Sequence, residues 1–318
     1  MNRTLRHVLP AVAAVLLTVA LAACGESAST ATGGGGTGAA DPDTLVFAAV
    51  PSEQSTSLQA DFKPVLDMLA RETGKKIEFR QATDYAAVIE GQLSGQVQIA
   101  QYGPLSFVLA QAKGAAITPV GAQISAKGAT PGYQSYAITK AGSPIKSIAD
   151  FAGKKICFVD PNSTSGYLYP TAALLQAGID PTTGIQPIFA GGHDASVLEV
   201  ASGRCDAGFA EDSMVDTTLI QKGQLKPGDI TTLWKSDIIP GSPVAISTSL
   251  SPELQAKLTD AFQNKANADY LKANGFCDGT CTVGDGGYWG YAPVDNAFYD
   301  PIRKVCDTTK NKNCTTAS

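Results

Sequence analysis

The sequence predicts an α/β protein of two lobes, each a mostly parallel sheet flanked by helices. Three observations predict it. Short β-branched and aromatic runs alternate with amphipathic stretches from residue 44 onward, the pattern of βαβ units. The alternation passes through two rounds. The body from residue 44 to residue 318 also exceeds the ~100–200 residues typical of one domain.

Residues 1–23 stand outside that body. "MNRTLRH" carries Arg3 and Arg6, and "VLPAVAAVLLTVALAA" is apolar, which is a basic n-region before an h-region of a secretory signal. The apolar run is short for a membrane span. It ends in Leu21-Ala22-Ala23-Cys24, which resembles a bacterial lipobox and implies a lipid on Cys24. Residues 24–43 hold four consecutive glycines and almost nothing apolar, so they are expected to form a flexible tether.

The first round reads strand "LVFAAVP", helix "DFKPVLDMLARETG" closed by Gly74, strand "KKIEFRQA", helix "DYAAVIEGQLSG", strand "VQIAQYG" and helix "PLSFVLAQAKG" with Pro104 at its start. "ITPVGAQIS" and "GYQSYAITK" follow as strands. The second round holds helix "SIADFAG", strand "KKICFVD", helix "STSGYLYPTAALLQAG", strand "IQPIFA", helix "HDASVLEVASG" and strand "CDAGFAE". "DITTLWKSDIIP" and "PVAISTSL" return as strands, and Ser251-Pro252 opens "SPELQAKLTDAFQNKA" as a helix. The chain is expected to cross between lobes near Gly132–Thr139 and near Pro240–Ile246. That gives a first lobe from residues 44–134 and 243–318, a second from 135–242, and a cleft between them. In open α/β sheets ligands sit at the carboxyl ends of the strands.

The formal charge is −5, and the leader removes two arginines, which argues against nucleic acid. Six cysteines remain after Cys24, an even number that implies disulfides outside the cytoplasm, with 15 pairings open. Spacing favours Cys277–Cys281 and Cys306–Cys314 as local loops; Cys157–Cys205 would cross-link two predicted strands. No metal or cofactor is expected. His193 is the one histidine beyond the leader, and Cys-x₃-Cys in "CDGTC" lacks the second ligand pair of a zinc site.

The run "DPNSTSG", from Asp160 to Gly166, lies where a strand hands over to a helix. A helix start offers unpaired amides and a positive dipole end, which bind oxyanions directly. Ser163, Thr164 and Ser165 add hydroxyl donors there, and Gly166 allows close approach. A plain N-cap would account for one of the three.

This run resembles the most specific motif of the substrate-binding proteins of ABC-type phosphonate, phosphite and phosphate importers, whose fold is the type II periplasmic-binding-protein fold. "DYAAVIEGQLSGQVQIAQYGPLS", "AGGHDASVLEVASGRCDAGFAE" and "WKSDIIPGSPVAI" resemble further family segments, and the likeness thins after about residue 250. The resemblance implies that Tyr85 and Tyr102 donate from the first lobe, Ser163, Thr164 and Ser165 from the second, and His193 from the next helix start. Glu211 would end a strand at the same site, there either to receive a ligand amine or to accept from a protonated ligand oxygen. Members that take aminoalkylphosphonates carry an aspartate where this chain has Ser242, which favours phosphite, phosphate or a small phosphonate without an amine. The resemblance implies an extracytoplasmic, lipid-anchored monomer that delivers its anion to a permease and its ATPase. A sensor presenting the same anion to a receptor is an alternative. A serine hydrolase is a poorer one, because "NSTSG" is not G-x-S-x-G.

Overall fold

The computed structural model describes residues 41–52, 58–279 and 281–315. The expected leader, most of the expected tether and Cys24 lie outside the described residues. Asp41 and Asp43, placed in the tether by sequence, belong to the folded body: the Asp41 carboxylate accepts from Ser251 N and Oγ at 2.7 and 2.5 Å, and Asp43 O accepts from Lys76 N.

The first round holds β1 (Thr44–Ala49), α1 (Leu58–Thr73), β2 (Lys76–Gln81), α2 (Tyr85–Leu93), β3 (Ile99–Gln101), α3 (Pro104–Ala112) and β4 (Ile117–Ile124). The second holds β5 (Gly132–Tyr133), β6 (Ser135–Lys140), β7 (Lys155–Phe158), α4 (Tyr169–Gln176), β8 (Gln186–Phe189), α5 (His193–Ser202), β9 (Ala207–Glu211), α6 (Leu219–Gln221) and β10 (Ile230–Lys235). After it come β11 (Ile239–Pro240), β12 (Pro243–Ser247), α7 (Pro252–Asp260), α8 (Ala268–Ala273), β13 (Gly290–Ala292), α9 (Asp300–Thr309) and α10 (Lys312–Thr315). The turn Met214–Thr218 with α6, and strand β13, have no counterpart in the sequence reading.

One sheet runs β13-β4-β12-β3-β1-β2 and the other β10-β6-β9-β7-β8; β5 and β11 make a two-stranded ribbon where the chain crosses. The sheets are mixed, which corrects the expectation of mostly parallel ones. β1, β2, β3 and β4 run one way in the first sheet, with β12 and β13 against them, and β7, β8, β9 and β10 run one way in the second, with β6 against them. Strands laid down by local βαβ crossings run one way; a strand arriving from the other lobe runs against them.

Period-2 alternation explains why both faces of each sheet are covered. Leu45, Phe47 and Ala49 of β1 pack towards α1 and α7, while Val46 and Ala48 pack towards α2 and α3. In the second lobe Ile156 and Phe158 face one core and Cys157 the other. Phe158 stacks on Phe209 and receives the edge of Tyr167 at 5.2 Å, which fixes the helix start after β7 to the strand end. The end of the chain does not stay with the first lobe: α9 packs on both α3 and α4, and Asn313 Nδ2 donates to Pro161 O at 2.9 Å.

Three disulfides join Cys157 to Cys205, Cys277 to Cys281 and Cys306 to Cys314. Cys205 precedes β9 instead of lying in it, so its bridge ties β7 to the end of α5. The 48-residue separation of that bridge outweighs the 4-residue one in loop-closure entropy, ~4 against ~2 kcal/mol. The double variant Cys157→Ala/Cys205→Ala is therefore expected to lose about 2–4 kcal/mol in urea unfolding, and more than Cys277→Ala/Cys281→Ala. The reverse order would remove chain entropy as the source.

Candidate functional site

Four helix starts point into one space. α2 and α3 begin after β2 and β3 in the first lobe; the helical turn Thr164–Leu168 and α5 begin after β7 and β8 in the second. Each leaves first-turn amides and a positive dipole end facing the cleft. Between them lies a small cavity of about 30 Å³. Its walls include Phe62, Tyr85, Gln101, Tyr102, Gln123 and Tyr288 from the first lobe, and Ser163, Thr164, His193 and Glu211 from the second. Tyr133 and Ser242, on the crossing segments, also line it, and no lysine or arginine is among the described residues of its walls.

The helix that follows "DPNSTSG" opens with a π turn over Thr164–Leu168, not an α turn. Leu168 N donates to Ser163 O and Tyr169 N to Thr164 O. Pro170 has no amide for Gly166 O, which accepts from Val159 N instead. The wide turn also releases Ser165 O, which accepts from Ser135 Oγ at 2.6 Å. Gly166 is needed sterically, since a Cβ there would fall 2.4 Å from Val159 Cβ. Ser163 Oγ caps the turn by accepting from Gly166 N at 3.0 Å. Thr164 Oγ1 accepts from Leu105 N of α3 at 2.8 Å, across the cleft. In both hydroxyls the oxygen is engaged, so the proton is the part left to offer a ligand.

Further contacts hold the lobes shut. His193 N donates to Ser52 O at 2.7 Å, and Tyr85 N reaches Asp160 Oδ2 at 3.5 Å. Lys222 pairs with Asp61 at 3.5 Å. Asp160 also accepts from Asn162 N, yet burial dominates and raises its pKa.

His193 Nδ1 accepts from Glu211 N at 3.0 Å, which fixes the ring's neutral form with its proton on Nε2. Nε2 lies 4.0 Å from Glu211 Oε2. Burial pushes the His193 pKa down to about 3. Ser213 Oγ lies 3.2 Å from Glu211 Oε1. Burial, with Glu211 as the next cause, raises the Tyr85 and Tyr133 phenols, so both stay protonated donors. The Tyr133 hydroxyl also senses those of Ser165 and Thr164.

The structure thus brings Tyr85, Tyr102, Ser163, Thr164, His193, Glu211 and Ser242 to one cavity. Two of the expected donors differ in detail. Tyr102 OH points at Val88 O, a long contact of 3.5 Å, and Ser165 is not a wall residue; its Oγ is buried and makes no hydrogen bond of normal geometry. Gln101, Gln123, Tyr133 and Tyr288 were missed. A glutamine ending a strand beside Tyr102, and a tyrosine in the first crossing segment, were the available signals for Gln101 and Tyr133.

Over residues 47–297 the chain matches the family described as ABC transporter, phosphonate, periplasmic substrate-binding protein. The chain belongs to this family. It is 49% identical over 282 residues to the phosphate-import protein PhnD of Mycolicibacterium smegmatis, covering 86% of this chain and 88% of that one. It is 30% identical over 233 residues to the phosphonates-binding periplasmic protein of Escherichia coli, covering 72% and 68%. A solved binding protein of an ABC phosphonate transporter from Pseudomonas aeruginosa aligns with TM-score 0.74 at 26% identity, covering 87% of this chain and 90% of that one. The two lobes are those of the type II periplasmic-binding-protein fold, and this ABC-importer binding protein carries its cavity where the strands of both lobes end.

The buried neutral His193 has a stability consequence. Its folded pKa, about 3, lies below the ordinary value of 6.5, so its contribution is complete above pH 6.5 and is lost as pH falls towards 3. One proton corresponds to ~1.4 kcal/mol per pH unit within that window. Urea unfolding at pH 7, 5.5 and 4.5 should show wild type losing stability faster than His193→Asn, whose side-chain oxygen can still accept from Glu211 N. Parallel losses in the two proteins would mean that His193 is charged in the fold.

Proposed function

We propose that this importer subunit captures a small phosphorus oxyanion (phosphate, phosphite or methylphosphonate) as its monoanion, and passes it to an ABC permease and its ATPase. One observation carries the reading: a small cavity whose polar walls are chiefly N–H and O–H donors, with one carboxylate, Glu211, and no cationic side chain among the described residues that line it. Helix dipoles, the phenols of Tyr85 and Tyr133, the hydroxyls of Ser163 and Thr164 and the Nε2–H of His193 supply the donors. Two unit charges ~4 Å apart repel by ~4 kcal/mol at an effective dielectric of ~20. A dianion beside Glu211 would meet about twice that cost, whereas a monoanion meets it once and offsets it by donating its P–OH to Glu211. His193 therefore acts as a neutral donor, not as a counter-charge.

The cavity's size supports a compact ligand, since a single water-sized group needs ~10–15 Å³ of such space. The PhnD of Mycolicibacterium smegmatis is named for phosphate import, which agrees with Ser242 standing where an aspartate would receive an amine. A hydrolase gains no support from the geometry: His193 Nδ1 is held by a backbone amide and is not free to activate a serine.

The protein is further proposed to be a monomer held at the outer face of the cell membrane by lipid on Cys24. Cys24→Ala should move it from the membrane to the soluble fraction on cell fractionation, and unchanged sedimentation with membranes would refute the anchor.

Calorimetry with phosphate, phosphite, methylphosphonate and 2-aminoethylphosphonate tests the ligand. Thr164→Val should weaken binding about tenfold to a hundredfold, the loss of a hydrogen bond to a charged group, while Ser165→Ala should change it by about threefold or less. Affinity should fall about tenfold per pH unit above the ligand's second ionisation. The amine ligand should bind no better than methylphosphonate, and Ser242→Asp should improve it selectively. A wild-type preference for the amine ligand, or affinity flat through the second ionisation, would overturn the monoanion reading.

A further inference from the structure

One wall residue of the cavity, Tyr288, closes a hairpin late in the chain, Val283 to Tyr288. Val283 N donates to Tyr288 O at 3.0 Å, and the next amide, Trp289 N, donates to Ile124 O at 2.9 Å. Gly284 adopts φ +68°, and a Cβ there would lie 2.8 Å from Phe62 Cζ, so only glycine lets the hairpin seat on that wall. The tip reaches the other lobe: a Cβ on Gly286 would lie 3.1 Å from Ser213 Oγ, the hydroxyl next to Glu211.

Outside the hairpin lies an open groove of about 360 Å³, with Asp212, Ser213, Asp216 and Thr217 among its walls. Two side chains, Tyr133 and Tyr288, belong to the walls of both groove and cavity. Tyr133 is part of the cradle, with its hydroxyl beside those of Thr164 and Ser165. Tyr288 is the remaining partition, 8% exposed and packed with Phe62 and Tyr291 in the first-lobe core.

We propose that Tyr288 is a specificity-determining residue: its ring limits the fourth substituent on phosphorus to about the size of a hydrogen, hydroxyl or methyl group. This rests on the proposed phosphorus oxyanion. With the ligand's oxygens on the cradle and helix starts, the fourth substituent is left to the part of the cavity walled by Tyr288, a residue that also walls the groove. A longer chain must displace a ring anchored by the hairpin bond and by core packing.

The test is calorimetric affinity of wild type, Tyr288→Ala, Tyr288→Leu and Tyr288→Phe for phosphate, methylphosphonate and propylphosphonate. Wild type is expected to bind methylphosphonate at least roughly 30-fold more tightly than propylphosphonate, from overpacking of a small cavity. Tyr288→Ala should cut that ratio about tenfold or more by joining cavity and groove, and Tyr288→Phe should preserve it. If a ligand-free melt shows Tyr288→Ala unfolded, Tyr288→Leu, which keeps a core-sized aliphatic group, decides by the same ratio. A ratio unchanged in the truncated variant, or equal loss of all ligands in both it and Tyr288→Phe, overturns the partition and leaves the ligand class standing. Wild type that binds neither phosphate nor methylphosphonate overturns both.

Discussion

Convergence of four helix N-termini on one small space is the constraint on which the rest of this structure depends. Each start projects unpaired amides and positive dipole ends, and like ends brought together repel. The two lobes can therefore close only if something electron-rich lies between them. Part of that need is met within the protein. Thr164 Oγ1 faces the amide at the start of α3, the Asp160 carboxylate faces the start of α2, and Ser52 O faces the start of α5. The rest of the cavity remains lined by donors, and an oxyanion is the complementary guest.

Glu211 sets the second condition. A carboxylate at the end of β9 in a space suited to an anion would be a mistake of charge unless a proton lies between the two. Backbone geometry has removed the obvious candidate. Glu211 offers its own amide to His193 Nδ1, so the imidazole cannot take a second proton without breaking that bond, and burial opposes protonation as well. The same residue thus neutralises its neighbour through its main chain and needs a proton through its side chain. A protonated ligand satisfies both, with no arginine to make the site tight for every anion.

Much of this was legible in the sequence because it is local. The strand-to-helix handover at "DPNSTSG" predicts a helix start with hydroxyls, and "GGHD" predicts His193 at another. Sheet direction was not local: β12 looks like any apolar strand, and its antiparallel course follows from arriving out of the other lobe. Nor was the division of labour among three adjacent hydroxyls. Ser163, Thr164 and Ser165 differ only because Pro170 and Val159 widen the first turn and Leu105 approaches from the far lobe. Tyr288 was hidden for another reason. It lies in the C-terminal stretch where family likeness thins, and a tyrosine after two glycines carries no periodic signal.

The closing contacts also bear on how a bound anion can be released. Across the cleft the structure shows the hydrogen bonds of Leu105 and His193 N, a long one from Tyr85 N, a lysine–aspartate pair and the Asn313 tie. A neutral hydrogen bond contributes ~0.5–1.5 kcal/mol net and a half-exposed ion pair ~0–1 kcal/mol. Their sum is a few kcal/mol, set against the mutual repulsion of the helix ends. Moving such an equilibrium from mostly open to mostly closed requires ~5.5 kcal/mol of preferential binding. A ligand held by several charge-assisted hydrogen bonds can supply that, adding to these polar ties and to the buried apolar cluster that Val159 and Leu168 share with Tyr85 and Leu105. Occupancy therefore shifts the equilibrium towards the closed form, and the same preferential binding must be overcome when the cavity opens again.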